Sequence, residues 1–214
     1  MDENITKKGK FNKAKVFYEL FAKLLKDENG NIKADALTAY GVRKDWKVYL
    51  NELLPKLLEE IECETYIGHP CVDVVGWSMP NRSVNDGWVN EYLWDLDVAI
   101  ELEDDSEDWM NGVIKLCHLK CGLKVVISYS SDDDRDSDID KLKITAANIQ
   151  SLAYGGLTED EDLLVILGNC SKNKYETQSD IGFKAYVYDD GKFKKLSSYY
   201  TTYHLLSGSV PSLD

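Results

Sequence analysis

The chain has 214 residues, of which 43% are hydrophobic and 29% charged, and it carries a formal charge of −13 at neutral pH. That length and balance suit one folded domain able to bury roughly 70% of its unfolded surface, and they exclude a disordered chain. The acid excess argues against a general nucleic-acid binder, whose affinity rests on a basic stripe.

The first segment, MDENITKKGKFNK, has lysines but no apolar stretch behind them, so it does not read as a secretory signal. Its basic cluster, Lys7, Lys8, Lys10, Lys13 and Lys15, reads as a solvated arm. Residues 13–26 form an amphipathic helix, with Phe17, Leu20, Phe21 and Leu24 at helical spacing and Asn29-Gly30 as its stop. A short helical turn over 34–40 ends at Gly41. A second strong helix spans 45–61, with Trp46, Tyr49, Leu50, Leu53, Leu57 and Ile61 on one side. Pro55 lies inside it and either kinks it or divides it in two.

The period then changes. Residues 71–77, Cys-Val-Asp-Val-Val-Gly-Trp, read as a short strand, and Pro80 to Gly87 as a polar loop. Residues 93–102 alternate: Leu96, Val98, Ile100 and Leu102 point one way, Asp95, Asp97, Ala99 and Glu101 the other. Ser106 caps a helix running to Cys121, with Gly122 as its stop. A β-branched strand over 123–129, an acidic loop over 130–140, a helix over 139–152 and a buried strand over 163–167 follow. Segments 183–188 and 193–196 form a hairpin around Asp189-Asp190-Gly191. The order predicts an α/β fold: a central mixed sheet flanked by helices, with a parallel strand pair joined by a right-handed crossover. Residues 1–62 read as a helical N-terminal extension packed on an α/β core of 63–214, one domain overall.

Charge is unevenly spread. Residues 1–60 carry 12 Lys/Arg against 10 Asp/Glu, whereas residues 61–214 carry 13 against 28. No run reaches the ~18 apolar residues of a transmembrane helix, so no membrane is expected. The odd number of scattered cysteines, Cys63, Cys71, Cys117, Cys121 and Cys170, predicts reduced thiols and a cytoplasmic location. Cys117 and Cys121, beside His118, lack the paired spacing of a zinc site and fit one buried helix face instead. His69, His118 and His204 are too isolated for a catalytic triad, and Tyr199, Tyr200 and Tyr203 read as packing residues.

The acidic strand carries the most chemistry. Asp95, Asp97, Glu101 and Glu103 share one face if it stays regular, and like charges so placed repel unless water or a cation screens them. Magnesium is suited to such a face, because it takes oxygen ligands from one or two carboxylates and water. The runs Val72-Asp73-Val74-Val75-Gly76 and Val98-Ala99-Ile100-Glu101-Leu102-Glu103-Asp104 resemble part of the restriction-endonuclease-like (PD-(D/E)XK) superfamily. The likeness is to bacterial-type members with an "aIEhEN" strand, a helix bearing a Lys-Leu pair and a strand ending in Tyr. Here these later parts are Trp109…Lys115-Leu116 and 123–129, ending at Tyr129.

The resemblance implies a restriction-endonuclease-like core in which Asp73 and Glu101 bind a divalent metal, Mg2+, that activates water for attack on a phosphodiester. It places Glu103 where the family has lysine. Glu103 would then share the metal and Lys115 would assist from the next helix, or catalysis is altered or lost. The implied activity is that of a divalent-metal-dependent nuclease. The alternatives are a non-catalytic acidic binding or regulatory protein on the same fold, or an acidic protein that occupies a basic partner surface. The run Asp132-Asp133-Asp134-Arg135-Asp136 motivates the last of these. Nucleic acid and a protein partner both stay open as ligands.

Overall fold

The computed structural model describes residues 12–40, 43–78, 96–103, 109–130, 135–153, 156–168 and 183–196. Three helices come first: α1 (Asn12–Leu24), α2 (Ala34–Tyr40) and α3 (Arg43–Glu60). Strands β1 (Cys63–Ile67), β2 (Val74–Ser78) and β3 (Leu96–Leu102) follow. Then come α4 (Trp109–Cys117), β4 (Cys121–Tyr129), α5 (Arg135–Ser151), β5 (Asp162–Gly168), β6 (Phe183–Asp189) and β7 (Lys192–Lys195).

The strands form one mixed sheet whose spatial order is the chain order, β1 to β7. The pairs β3–β4 and β4–β5 are parallel and the rest are antiparallel. Helix α4 joins β3 to β4 and α5 joins β4 to β5, the crossovers that parallel pairs require. Segments 71–77, 95–102 and 123–129 were expected to be neighbours, and β2, β3 and β4 are adjacent. The hairpin at 183–195 also forms as expected: Asp190 and Gly191 both take positive φ, 50° and 77°. Those are the angles that a tight two-residue hairpin turn selects Asp-Gly for.

Side-chain alternation splits the core in two. Val74, Val98, Ile100, Leu102, Val125 and Ile127 face the layer of α1, α2 and α3. Val75, Ala99, Val126, Val165 and Leu167 face α4 and α5. On the first face Tyr40, Trp46 and Phe183 pack edge-on or stacked, with ring centroids 5.1–5.8 Å apart. Helix α1 is tied across the sheet where the Ala14 amide donates to Asp162 of β5 at 3.2 Å. β5 is buried along its whole length, as a strand covered by helices on both faces must be.

Several expectations change. β1 was not foreseen. Helix α3 is one continuous helix through Pro55, because Leu53, Leu54, Leu57 and Leu58 bury both sides of the proline on the same layer. Helix α4 ends at Cys117, so Cys121 and Gly122 belong to β4 and the two cysteines do not share a helix. Helix α5 starts at Arg135, inside the stretch expected as an acidic loop. Asp95, Asp132 to Asp134, Cys170, Tyr199, Tyr200, Tyr203 and His204 lie outside the described residues. Among the described residues no helix is long and apolar enough to cross a membrane.

Candidate acidic site at the end of the third strand

Asp73 stands one residue before β2, and Glu101 one residue before the end of β3. The last ladder pair between these strands is Val74–Ile100, so the next register step sets Asp73 opposite Glu101. Two acidic residues 28 positions apart in the chain thus become cross-strand neighbours.

Local structure fixes Asp73. The Gly68 amide donates to its main-chain oxygen at 2.7 Å, closing the loop between β1 and β2. Its carboxylate extends the ladder, because Oδ2 accepts the Leu102 amide at 2.9 Å. Lys47 of α3 reaches the same place from the other layer, with Nζ 2.9 Å from Oδ1. That ammonium also donates to the Leu102 carbonyl at 3.2 Å.

Glu101 is only 4% exposed. Lys115 of α4 brings its ammonium to 2.5 Å from Oε1. That oxygen is buried, and the Lys115 ammonium is the group that meets it. Burial pushes the Glu101 carboxyl up to about 7; Lys115 opposes this, and the charges of Asp73 and Glu103 reinforce it. Burial disfavours the charge on Lys115, but Glu101, then Asp73 and Glu103, outweigh it and raise that group.

Glu103 continues the parallel ladder, its amide donating to Ile127 at 3.0 Å. A glycine makes room for it. A Cβ on Gly112 of α4 would come 2.9 Å from Glu103 Oε1 and 3.6 Å from Glu101 Cβ. The helix therefore lies close over both glutamates, and Lys115, three residues on, shares its face with Gly112.

The four residues singled out from sequence, Asp73, Glu101, Glu103 and Lys115, are within electrostatic reach of one another. Asp97 is engaged elsewhere, accepting the Ser78 amide. Among the described residues no three His, Cys, Asp or Glu side chains gather into a group that could hold a metal by themselves. Magnesium needs less, since one or two carboxylates with water and substrate oxygens suffice. Asp73 and Glu101 offer hard oxygens, the donor type that a small divalent cation takes, and each carboxylate already meets a lysine ammonium.

Sequence reasoning missed Lys47 and Gly112. Nothing in the pattern of α3 marks Lys47, a polar-face residue with no local tie to Asp73. Gly112 did carry a signal, since a glycine inside a helical pattern often marks close packing.

The other groups named from sequence are structural. His69 is buried and its Nδ1 accepts the Cys71 amide at 3.1 Å. His118 lies exposed in the turn after α4. Cys63, Cys71, Cys117 and Cys121 are free thiols, and burial pushes Cys63, Cys117 and Cys121 up to about 11. A thiol so shifted is a poor nucleophile and a poor metal ligand at neutral pH.

Compared with protein families, curated proteins and solved structures, the chain matches none.

Proposed function

We propose that this chain is a divalent-metal-dependent nuclease-like protein acting on phosphodiester bonds of nucleic acid, built on a restriction-endonuclease-like core. The observation that carries the reading is the facing of Asp73 and Glu101 across the β2–β3 pair. These are the two residues that the resemblance marks as metal ligands. A Mg2+ bound there would polarise the scissile phosphate and supply a hydroxide-like nucleophile. Asp73 and Glu101 would hold it, with Glu103 adding negative charge beside them. Lys115, half exposed and within reach of all three carboxylates, would stabilise negative charge developing on the phosphate. The free thiols fit a reducing, cytoplasmic setting.

One observation favours a second reading. Both acidic residues already carry a lysine counter-ion, Lys47 on Asp73 and Lys115 on Glu101, and Glu103 stands where the family has lysine. A non-catalytic binding or regulatory protein on the same fold would look like this. Incubation with single- and double-stranded DNA and RNA, with Mg2+ or Mn2+ and with chelator, separates the two. The nuclease reading expects cation-dependent cleavage that Asp73→Asn and Glu101→Gln abolish. Cation binding without cleavage of any substrate establishes the second.

A further inference from the structure

Lys47 and Asp73 together bracket one residue. Asp73 Oδ2 takes the Leu102 amide at 2.9 Å, and Lys47 donates to the Leu102 carbonyl at 3.2 Å. Lys47 and Asp73 are themselves joined at 2.9 Å. This closed ring stands where the main-chain pairing of β2 with β3 stops at Val74–Ile100. A side-chain carboxylate there does what the next strand residue would otherwise do.

Lys115 is bound quite differently. Its side chain is 51% exposed, against 40% for Lys47, and it meets Glu101 by one contact 2.5 Å from Oε1, whereas Lys47 also holds a main-chain carbonyl. The two lysines also come from opposite layers, Lys47 from α3 and Lys115 from α4. An ionised carboxylate has about four acceptor positions. The ring uses two of those on Asp73. Acceptor positions therefore remain on both oxygens without breaking the ring.

We propose that Lys47 is a positioning residue, which fixes the Asp73 carboxylate against the end of β3 and stays in place when a cation binds, whereas Lys115 is a counter-ion that the cation displaces. The part concerning the cation rests on the reading of Asp73 and Glu101 as its ligands; the positioning of Asp73 does not. The two lysines should then affect cation affinity in opposite directions. Removing a positive charge alone tightens cation binding. Removing Lys47 must weaken it, if order at Asp73 matters more than the charge lost.

The test uses the full chain and the variants Lys47→Met, Lys47→Arg and Lys115→Met. Amide exchange at Leu102, measured without cation, should quicken about tenfold in Lys47→Met, the effect of losing roughly one charge-assisted hydrogen bond. It should return towards the parent value in Lys47→Arg and stay unchanged in Lys115→Met. Calorimetric titration with Mn2+ should show weaker binding in Lys47→Met and tighter binding in Lys115→Met. Unchanged Leu102 exchange in Lys47→Met overturns the proposal, as does Mn2+ binding that tightens in both variants. If the parent protein binds no Mn2+ while Leu102 exchange still responds to Lys47, the positioning role stands and the metal reading falls.

Discussion

The Lys115 ammonium lies 2.5 Å from Oε1 of Glu101, joining a half-exposed lysine to a carboxylate that is almost wholly buried. The burial of Glu101 outweighs that cation and raises its pKa from 4.5 to about 7. Below pH 4.5 the group is protonated both folded and unfolded. Between pH 4.5 and 7 the folded state holds a proton that the unfolded chain has released, so stability falls as pH rises. Above pH 7 the full cost of the buried charge is present. Glu101→Gln should remove this limb and stabilise the protein at pH 8 by up to roughly 3 kcal/mol, with little effect at pH 4. Lys115 would lose its partner but remain hydrated. Urea unfolding of both proteins across pH 4–8 measures this, and a variant less stable than its parent at pH 8 contradicts it.

A second pair joins a fully buried lysine to a partly buried glutamate. Lys124 of β4 is 0% exposed, and its ammonium meets Glu161 at 2.6 Å and the Cys121 carbonyl at 3.2 Å. Breaking a buried pair from one side costs about 3–5 kcal/mol where the remaining charge is stranded away from water, and less where that charge can reach solvent. Glu161→Ala, which strands the buried ammonium, should therefore destabilise by about that amount. It also removes the acceptor of the Cys121 and Thr158 amides. Lys124→Met should cost much less, since Glu161 keeps those amides and lies near the edge of the core. Equal losses in the two variants, measured by urea unfolding, would count against this asymmetry.

Gly112 tests how closely α4 must lie over the glutamates. Alanine favours a helix over glycine by about 0.8–1.0 kcal/mol. Its methyl would press on Glu103 Oε1, the end of a flexible side chain, and moving that group costs about one hydrogen bond, 0.5–1.5 kcal/mol. The terms offset, so Gly112→Ala should leave stability within about 1 kcal/mol of the parent. Thermal unfolding decides it. A larger loss would mean that Glu103 cannot yield and that the helix–strand spacing is fixed there.

What could be read from sequence follows from where local pattern decides structure. The alternation over 98–102, the apolar run of β5 and the Asp-Gly turn before β7 each declare themselves within a few residues, whereas Leu96, expected on the face of Val98, packs in the opposite layer. β1, Cys-Glu-Thr-Tyr-Ile, does not. It is a five-residue edge strand with a half-exposed pattern, and only its pairing with β2 makes it a strand. Gly122 was misread as a helix stop because a glycine has the same local signature at a helix end and inside a buried strand. Lys124 was legible in principle, since a charge within Leu-Lys-Val-Val-Ile must find a partner. That its partner is Glu161 depends on how the loop before β5 folds. Asp73, Glu101, Glu103 and Lys115 were singled out through the family resemblance, which rests on short local runs. Lys47 could not be, because its tie to Asp73 exists only once α3 is laid on the sheet.

The central claim, that Asp73 and Glu101 jointly hold a divalent cation, is tested most directly by thermal unfolding with increasing Mg2+ or Mn2+. A ligand at a hundredfold excess over its dissociation constant, binding only the folded state, contributes about 2.7 kcal/mol. For a chain of this size that raises the melting temperature by about 5–10 °C. The account predicts such a rise in the parent protein and its loss in both Asp73→Asn and Glu101→Gln, although the latter melts higher without cation. A parent protein whose melting temperature ignores both cations, or a shift that survives both substitutions, would contradict it.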